Sequence, residues 1–201
     1  MSKHKVSNLL VRGNSKVHPK VLMWNIPATL EICGRECAGC YAVSTQKRWP
    51  NVKNKWNSNY EVSKTAGFVD RLNTELKFFE GTFSYVRLHG SGEFYSKDYI
   101  KKWEEIAKAN PQTVFYTYTK RLGEFNFDGL HALPNFVLHN SLLPPYGASN
   151  FGEEELMKQQ TEKLGGFLCP LSKDREQKCG LECVWCMEKE NEGTPILFVK
   201  H

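Results

Sequence analysis

The 201-residue chain carries 27 Lys and Arg against 22 Asp and Glu, for a net charge of +5, with 40% apolar and 24% charged residues. Such a chain is long enough to bury a core without disulfides, and its 12 Phe, 8 Tyr and 5 Trp argue against disorder. No apolar run approaches the ~18–20 residues that cross a bilayer, and no apolar stretch follows the charged start, so neither a membrane span nor a secretory signal is expected.

Lys3, Lys5, Arg12, Lys16 and Lys20 make residues 1–19 and their border a basic N-terminal arm. Contact with nucleic acid or an anionic substrate is one reading of such an arm; a solvated terminus is the plainer one. No nucleic-acid-binding motif supports the first.

The next unit spans residues 20–166. A first strand runs over Val21–Ile26 and ends at Pro27. Behind it stand Cys33, Cys37 and Cys40, and Tyr41 follows. Residues 49–57 read as a turn-rich surface segment. Ser58 and Glu61 have capping-box spacing, and apolar residues three and four apart then predict a helix from about 60 to 79, stopped by Gly81. A second strand over 83–89 leaves through Gly90, Ser91, Gly92 and Glu93. Ser96 caps a helix with Tyr99, Trp103, Ile106 and Ala107 on one face. Strands over 113–119 and 136–140 and a helix over 153–164 complete the pattern. Alternating strands and helices predict an α/β fold with a mostly parallel sheet, whose ligands bind at the carboxyl ends of the strands. The cysteine loop and the Gly90–Glu93 loop then share one rim.

All seven cysteines fall in two groups. Cys33, Cys37 and Cys40 read C-G-x-E-C-x-x-C, and Cys179, Cys183 and Cys186 repeat it, with Cys169 upstream. Soft thiolates select zinc, copper(I) or iron–sulfur clusters. Three cysteines on a short loop suit one face of a 4Fe–4S cluster, leaving one iron open. The four of residues 167–201 suffice to close a second site, either another 4Fe–4S cluster or zinc, in a small cysteine-rich metal-binding extension. Cys169 completing the first site, and disulfides in place of metal, are the alternatives. Clustered thiols and no signal give the cytoplasm as the expected compartment.

A C-x3-C-x2-C loop after the first strand and a Gly-Ser-Gly-Glu loop after the second resemble the radical S-adenosylmethionine (radical SAM) superfamily. The overall layout is similar to that of small, poorly characterised phage proteins, which would put it in a host cytoplasm. The resemblance implies a truncated (β/α) partial barrel and a 4Fe–4S cluster on Cys33, Cys37 and Cys40. It also implies SAM bound by Gly90, Ser91, Gly92 and Glu93 with Tyr41 nearby, an external electron donor, and hydrogen abstraction from a small-molecule or peptide substrate. Arg87 and His89, two apart on the second strand, are expected on one face and are the candidate catalytic side chains; His139, Tyr116 and Tyr118 are further cavity candidates. Two other function classes remain: an open iron acting as a Lewis acid in ester or thioester hydrolysis, and a metal-stabilised binding module with every cysteine structural.

Overall fold

The computed structural model describes residues 9–37, 40–141, 162–163, 165–170 and 178–197. Its sheet contains β1 (Val11–Arg12), β2 (Val21–Trp24), β3 (Tyr85–Leu88), β4 (Val114–Thr119) and β5 (Phe136–Asn140), in that spatial order. β1 lies antiparallel to β2, and the other neighbours are parallel, with Arg87 beside Met23 and Tyr116 and with Tyr118 beside His139. The fold is mixed α/β with a mostly parallel sheet, as the alternation predicts.

Strand periodicity sorts the sheet into two faces. Leu22, Trp24, Val86, Leu88, Phe115, Phe136 and Leu138 form the main core with residues of the helices α4 (Phe68–Phe79), α5 (Lys97–Ala109) and α6 (Asp128–His131). Val21, Met23, Tyr116, Tyr118 and Val137 point the other way, against Cys186, Met187 and Ile196 of the C-terminal segment. One face thus carries helices, and the other is covered by the end of the chain. There β6 (Phe167–Leu168) pairs in parallel with β7 (Ile196–Leu197). Residues 167–201, expected as an appended extension, are therefore packed against the sheet where they are described.

Three short-range expectations change. The segment 49–57 is not a turn-rich surface: α2 (Tyr41–Arg48) runs almost directly into α3 (Pro50–Lys64), with Pro50 in its first turn, where its missing N–H costs nothing. Ser58 lies inside α3 and caps nothing, and α4 starts separately at Phe68. The N-terminal arm is fold from Leu9 onward. Leu9 and Leu10 are buried, and their amides donate to the Glu75 carboxylate of α4 at 2.7 and 3.0 Å. The expected helix over 153–164 lies outside the described residues except at 162–163. Among the described residues, no helix is long and apolar enough to cross a membrane.

Candidate functional site

The carboxyl ends of β2, β3 and β4 converge on the first cysteine group. After β2, Thr29 caps the short α1 (Leu30–Cys33), its Oγ1 accepting the Ile32 amide at 3.3 Å. Cys33 ends α1, Gly34 (φ 70°) reverses the chain, and Cys40 caps α2. A short helix, a left-handed turn and a helix start thus carry the loop's outer two thiols. Gly180, the counterpart of Gly34 in the second copy, also has positive φ (89°), although Cys179 before it sits in a β-bridge and not at a helix end. Tyr41 begins α2 and is 63% exposed.

The loop after β3 packs directly on the loop after β2. The Ser91 amide donates to Asn25 Oδ1 at 3.0 Å, and the Ile26 amide donates to the Ser91 carbonyl at 3.2 Å. Gly92 (φ 84°) lies so close to Ile26 that a Cβ there would overlap its side chain and come within 2.9 Å of its carbonyl oxygen. Ser91 is buried, and its Oγ has no hydrogen-bond partner among the described residues. Glu93 is buried too, its oxygens accepting the Thr119 hydroxyl at 2.7 Å and the Lys120 amide at 2.9 Å. Burial pushes its carboxyl up, against the lowering effect of those two bonds.

Arg121, just past β4, ties the rim together. It donates to the Ile32 carbonyl at 3.0 Å and the Phe94 carbonyl at 3.1 Å, joining the cysteine loop to the loop after β3, and it pairs with Glu124. Arg35 of the cysteine loop meets the same Glu124. The Cys33 thiol is pushed up to about 11, first by burial and then by Glu93, Cys40 and Cys37. With Cys37, Cys40 and Glu93 within electrostatic reach, deprotonation of Cys33 is resisted, and a cationic centre would relieve that resistance.

Arg87 and His89 part company. β3 ends at Leu88, and His89 adopts φ 55°, the one non-glycine residue with positive φ among the described residues. That turn carries its ring to the helix-side core, where Nε2 lies 3.0 Å from Tyr99 Oη and the ring meets Phe94 edge-on at 4.6 Å. Burial lowers its pKa to about 3, so at neutral pH it is uncharged. The period-two expectation fails because the strand stops one residue early. Arg87 stays on the opposite face, its guanidinium 5.2 Å over the Tyr118 ring.

On that face the second cysteine group meets the sheet. Tyr116 Oη lies 3.5 Å from Cys179 Sγ, and His139 Nε2 lies 3.0 Å from the Cys186 carbonyl oxygen. His139 is stacked between Tyr118 and Trp185. Cys186 is pushed up to about 12 by burial, with Cys179, Cys169 and Cys183 adding to the rise. The four thiols are neighbours, yet among the described residues no three or more His, Cys, Asp or Glu side chains in either group stand in metal-holding positions. A groove of about 500 Å³ at the β1 edge, lined by Leu10, Val11, Arg12, Leu22, Phe78 and Phe79, holds no thiol, imidazole or carboxylate.

Asn25, Thr119 and Arg121 escape sequence reasoning. They act on backbone groups or on Glu93 across long sequence separations, and no motif marks them. No curated protein and no solved structure matches the chain. Residues 9–162 match the model of a family described as gene product 88, and the chain belongs to that family.

Proposed function

We propose that this is an iron–sulfur protein of radical SAM-like type, built on a truncated (β/α) partial barrel. The single observation that carries the reading is the shared rim, where Cys33 lies within electrostatic reach of Cys37, Cys40 and Glu93 at the carboxyl end of a parallel sheet. The sequential order of β2 to β5, with helices on one face, supports the partial barrel. The family description is in keeping with a phage protein, for which a host cytoplasm would be the working compartment.

The donor chemistry suits the group, while among the described residues neither cysteine group is drawn together into a metal-holding cluster. Cys33, Cys37 and Cys40 would hold a 4Fe–4S cluster, whose charge would offset the Cys33 thiolate that burial disfavours. The unpartnered Ser91 hydroxyl and the Glu93 carboxylate, fixed by Thr119 and Lys120, would receive the amino group of SAM. When bound, a cluster with one open iron supplies a coordination site and an electron. The chain's own part is to fix the two loops against each other through Asn25 and Arg121. Cys169, Cys179, Cys183 and Cys186 would hold a second cluster or zinc.

Anaerobically purified protein is expected to be brown, with about four or eight irons per chain. With SAM and dithionite it should release 5′-deoxyadenosine, and Cys37→Ala should abolish this. Colourless, zinc-only protein overturns the reading in favour of a metal-stabilised binding module. Iron without any response to SAM, with turnover of activated esters, would favour Lewis-acid hydrolysis.

A further inference from the structure

We propose that Arg87 anchors an anionic group of the ligand, a carboxylate or a phosphate, on the sheet face between the two cysteine groups. The proposal rests on the preceding reading for where the ligand lies, and on the surroundings of the guanidinium for its charge.

Among the described residues, Arg87 is the one charged strand residue on the face opposite the helices. Its cross-strand neighbours there are Met23 and Tyr116, both neutral. Several other basic side chains are matched: Arg121 and Arg35 with Glu124, Lys102 with Asp98, Lys189 with Glu192; Arg12 of β1, which lies over Phe83, is exposed rather than buried. Arg87 makes no ion pair or hydrogen bond among the described residues, and its Nε is sequestered without a partner. Its guanidinium lies over the face of Tyr118, with Tyr116, Tyr41 and Cys179 within electrostatic reach.

A ring face offsets only part of the cost of withdrawing a guanidinium from water, and it leaves the N–H donors unused. Those donors form a planar fork that matches a carboxylate or a phosphate. Burial holds the flanking Tyr116 and Tyr118 phenols protonated, so neither supplies the missing negative charge. Arg87 is also in the right place. It shares a strand with the Gly90–Glu93 loop, and neighbouring Tyr116 reaches Cys179. A ligand lying across this face from the first cysteine group towards the second would pass over it.

The test uses the full-length protein as purified, labelled with 15N-arginine. The Arg87 Nε resonance is assigned by its loss in Arg87→Lys and followed during titration with inorganic phosphate and with sodium acetate. The expected result is a saturable shift with one probe, which identifies the anion class. Binding should be about tenfold weaker in Arg87→Lys, which keeps the charge but not the fork, and absent in Arg87→Met. No saturable shift with either probe overturns the proposal, as does an unchanged isotherm in Arg87→Lys, which decides the matter if Arg87→Met does not fold. Loss of bound metal in Arg87→Met without any anion response also overturns it, and makes Arg87 a countercharge to the thiolates. Iron is measured on the same samples. Anion binding in iron-free protein upholds Arg87 while the cluster reading fails, and iron-loaded protein without anion binding does the reverse.

Discussion

Replacing His89 with Asn tests how the fold carries a buried imidazole at a left-handed position. Asn tolerates positive φ better than most residues, so the backbone should survive the change. The shorter side chain gives up the contact with Tyr99 Oη, a loss of about 1–2 kcal/mol at neutral pH. Against this stands the linkage term. The folded-state pKa of His89 is lowered from 6.5 to about 3, so between those values the unfolded chain binds the extra proton. Stability from this residue is complete above 6.5 and is lost as pH falls, at about 1.4 kcal/mol per pH unit. From neutrality to pH 5 the wild type should lose about 2 kcal/mol that the variant does not. Glu75 and Glu93 have raised pKa values and contribute the opposite slope above 4.5, but they do so in both proteins and cancel in the difference. Urea unfolding followed by tryptophan fluorescence, repeated across that range, should show the two stability curves converging or crossing. Parallel curves would refute the argument that His89 is held neutral by burial.

Two further outcomes follow from the rim. Arg121→Ala strips two carbonyls, Ile32 and Phe94, of a charged donor and should cost about 2–4 kcal/mol in urea unfolding, with Arg121→Lys recovering part of it; a change under half a kcal/mol, roughly, would show the clamp to be idle. In metal-free protein at pH 8, Cys33 should alkylate about a hundredfold and Cys186 about a thousandfold more slowly than a free cysteine peptide, as read by peptide mapping after iodoacetamide; labelling at the free-peptide rate would contradict their burial.

The sequence made some elements plain and hid others for identifiable reasons. β4, β5 and α5 were legible because dense β-branched and aromatic runs, or a Ser96 cap with apolar residues at helical spacing, leave little choice of structure. α3 was not, because its buried face is Trp56, Asn59 and Ser63, two of them polar. Asn59 is inside because its amide donates to the Leu9 and Asn25 carbonyls, a need set by distant backbone rather than by helical pattern. The cysteine loop announced itself by spacing, and the Gly90–Glu93 loop by its glycines. The partners that fix them did not. Thr119 and Arg121 are ordinary residues until the sheet brings β4 beside β3, and a side chain that binds a carbonyl leaves no recognisable spacing. His89 shows the limit of period-two reasoning at a strand end, where one dihedral sends a residue to the other face.

The cover over the helix-free face bears on how the protein is made. The family match ends at residue 162, yet Cys186, Met187 and Ile196 complete the second core, and Lys189 donates to the Phe136 and His131 carbonyls. These residues leave the ribosome after all five strands of the sheet. Until they arrive, Val21, Met23, Tyr116, Tyr118 and Val137 have Val17, Tyr85 and Val114 beside them but lack the cover of Cys186, Met187 and Ile196. The nascent sheet then passes through an interval with one finished side and one sticky, aromatic side. Whatever is to be lodged against Arg87 and the tyrosines has its widest doorway in that interval. Afterwards, loading and unloading must proceed along the rim or by lifting the tail, so translation itself sets the order of assembly.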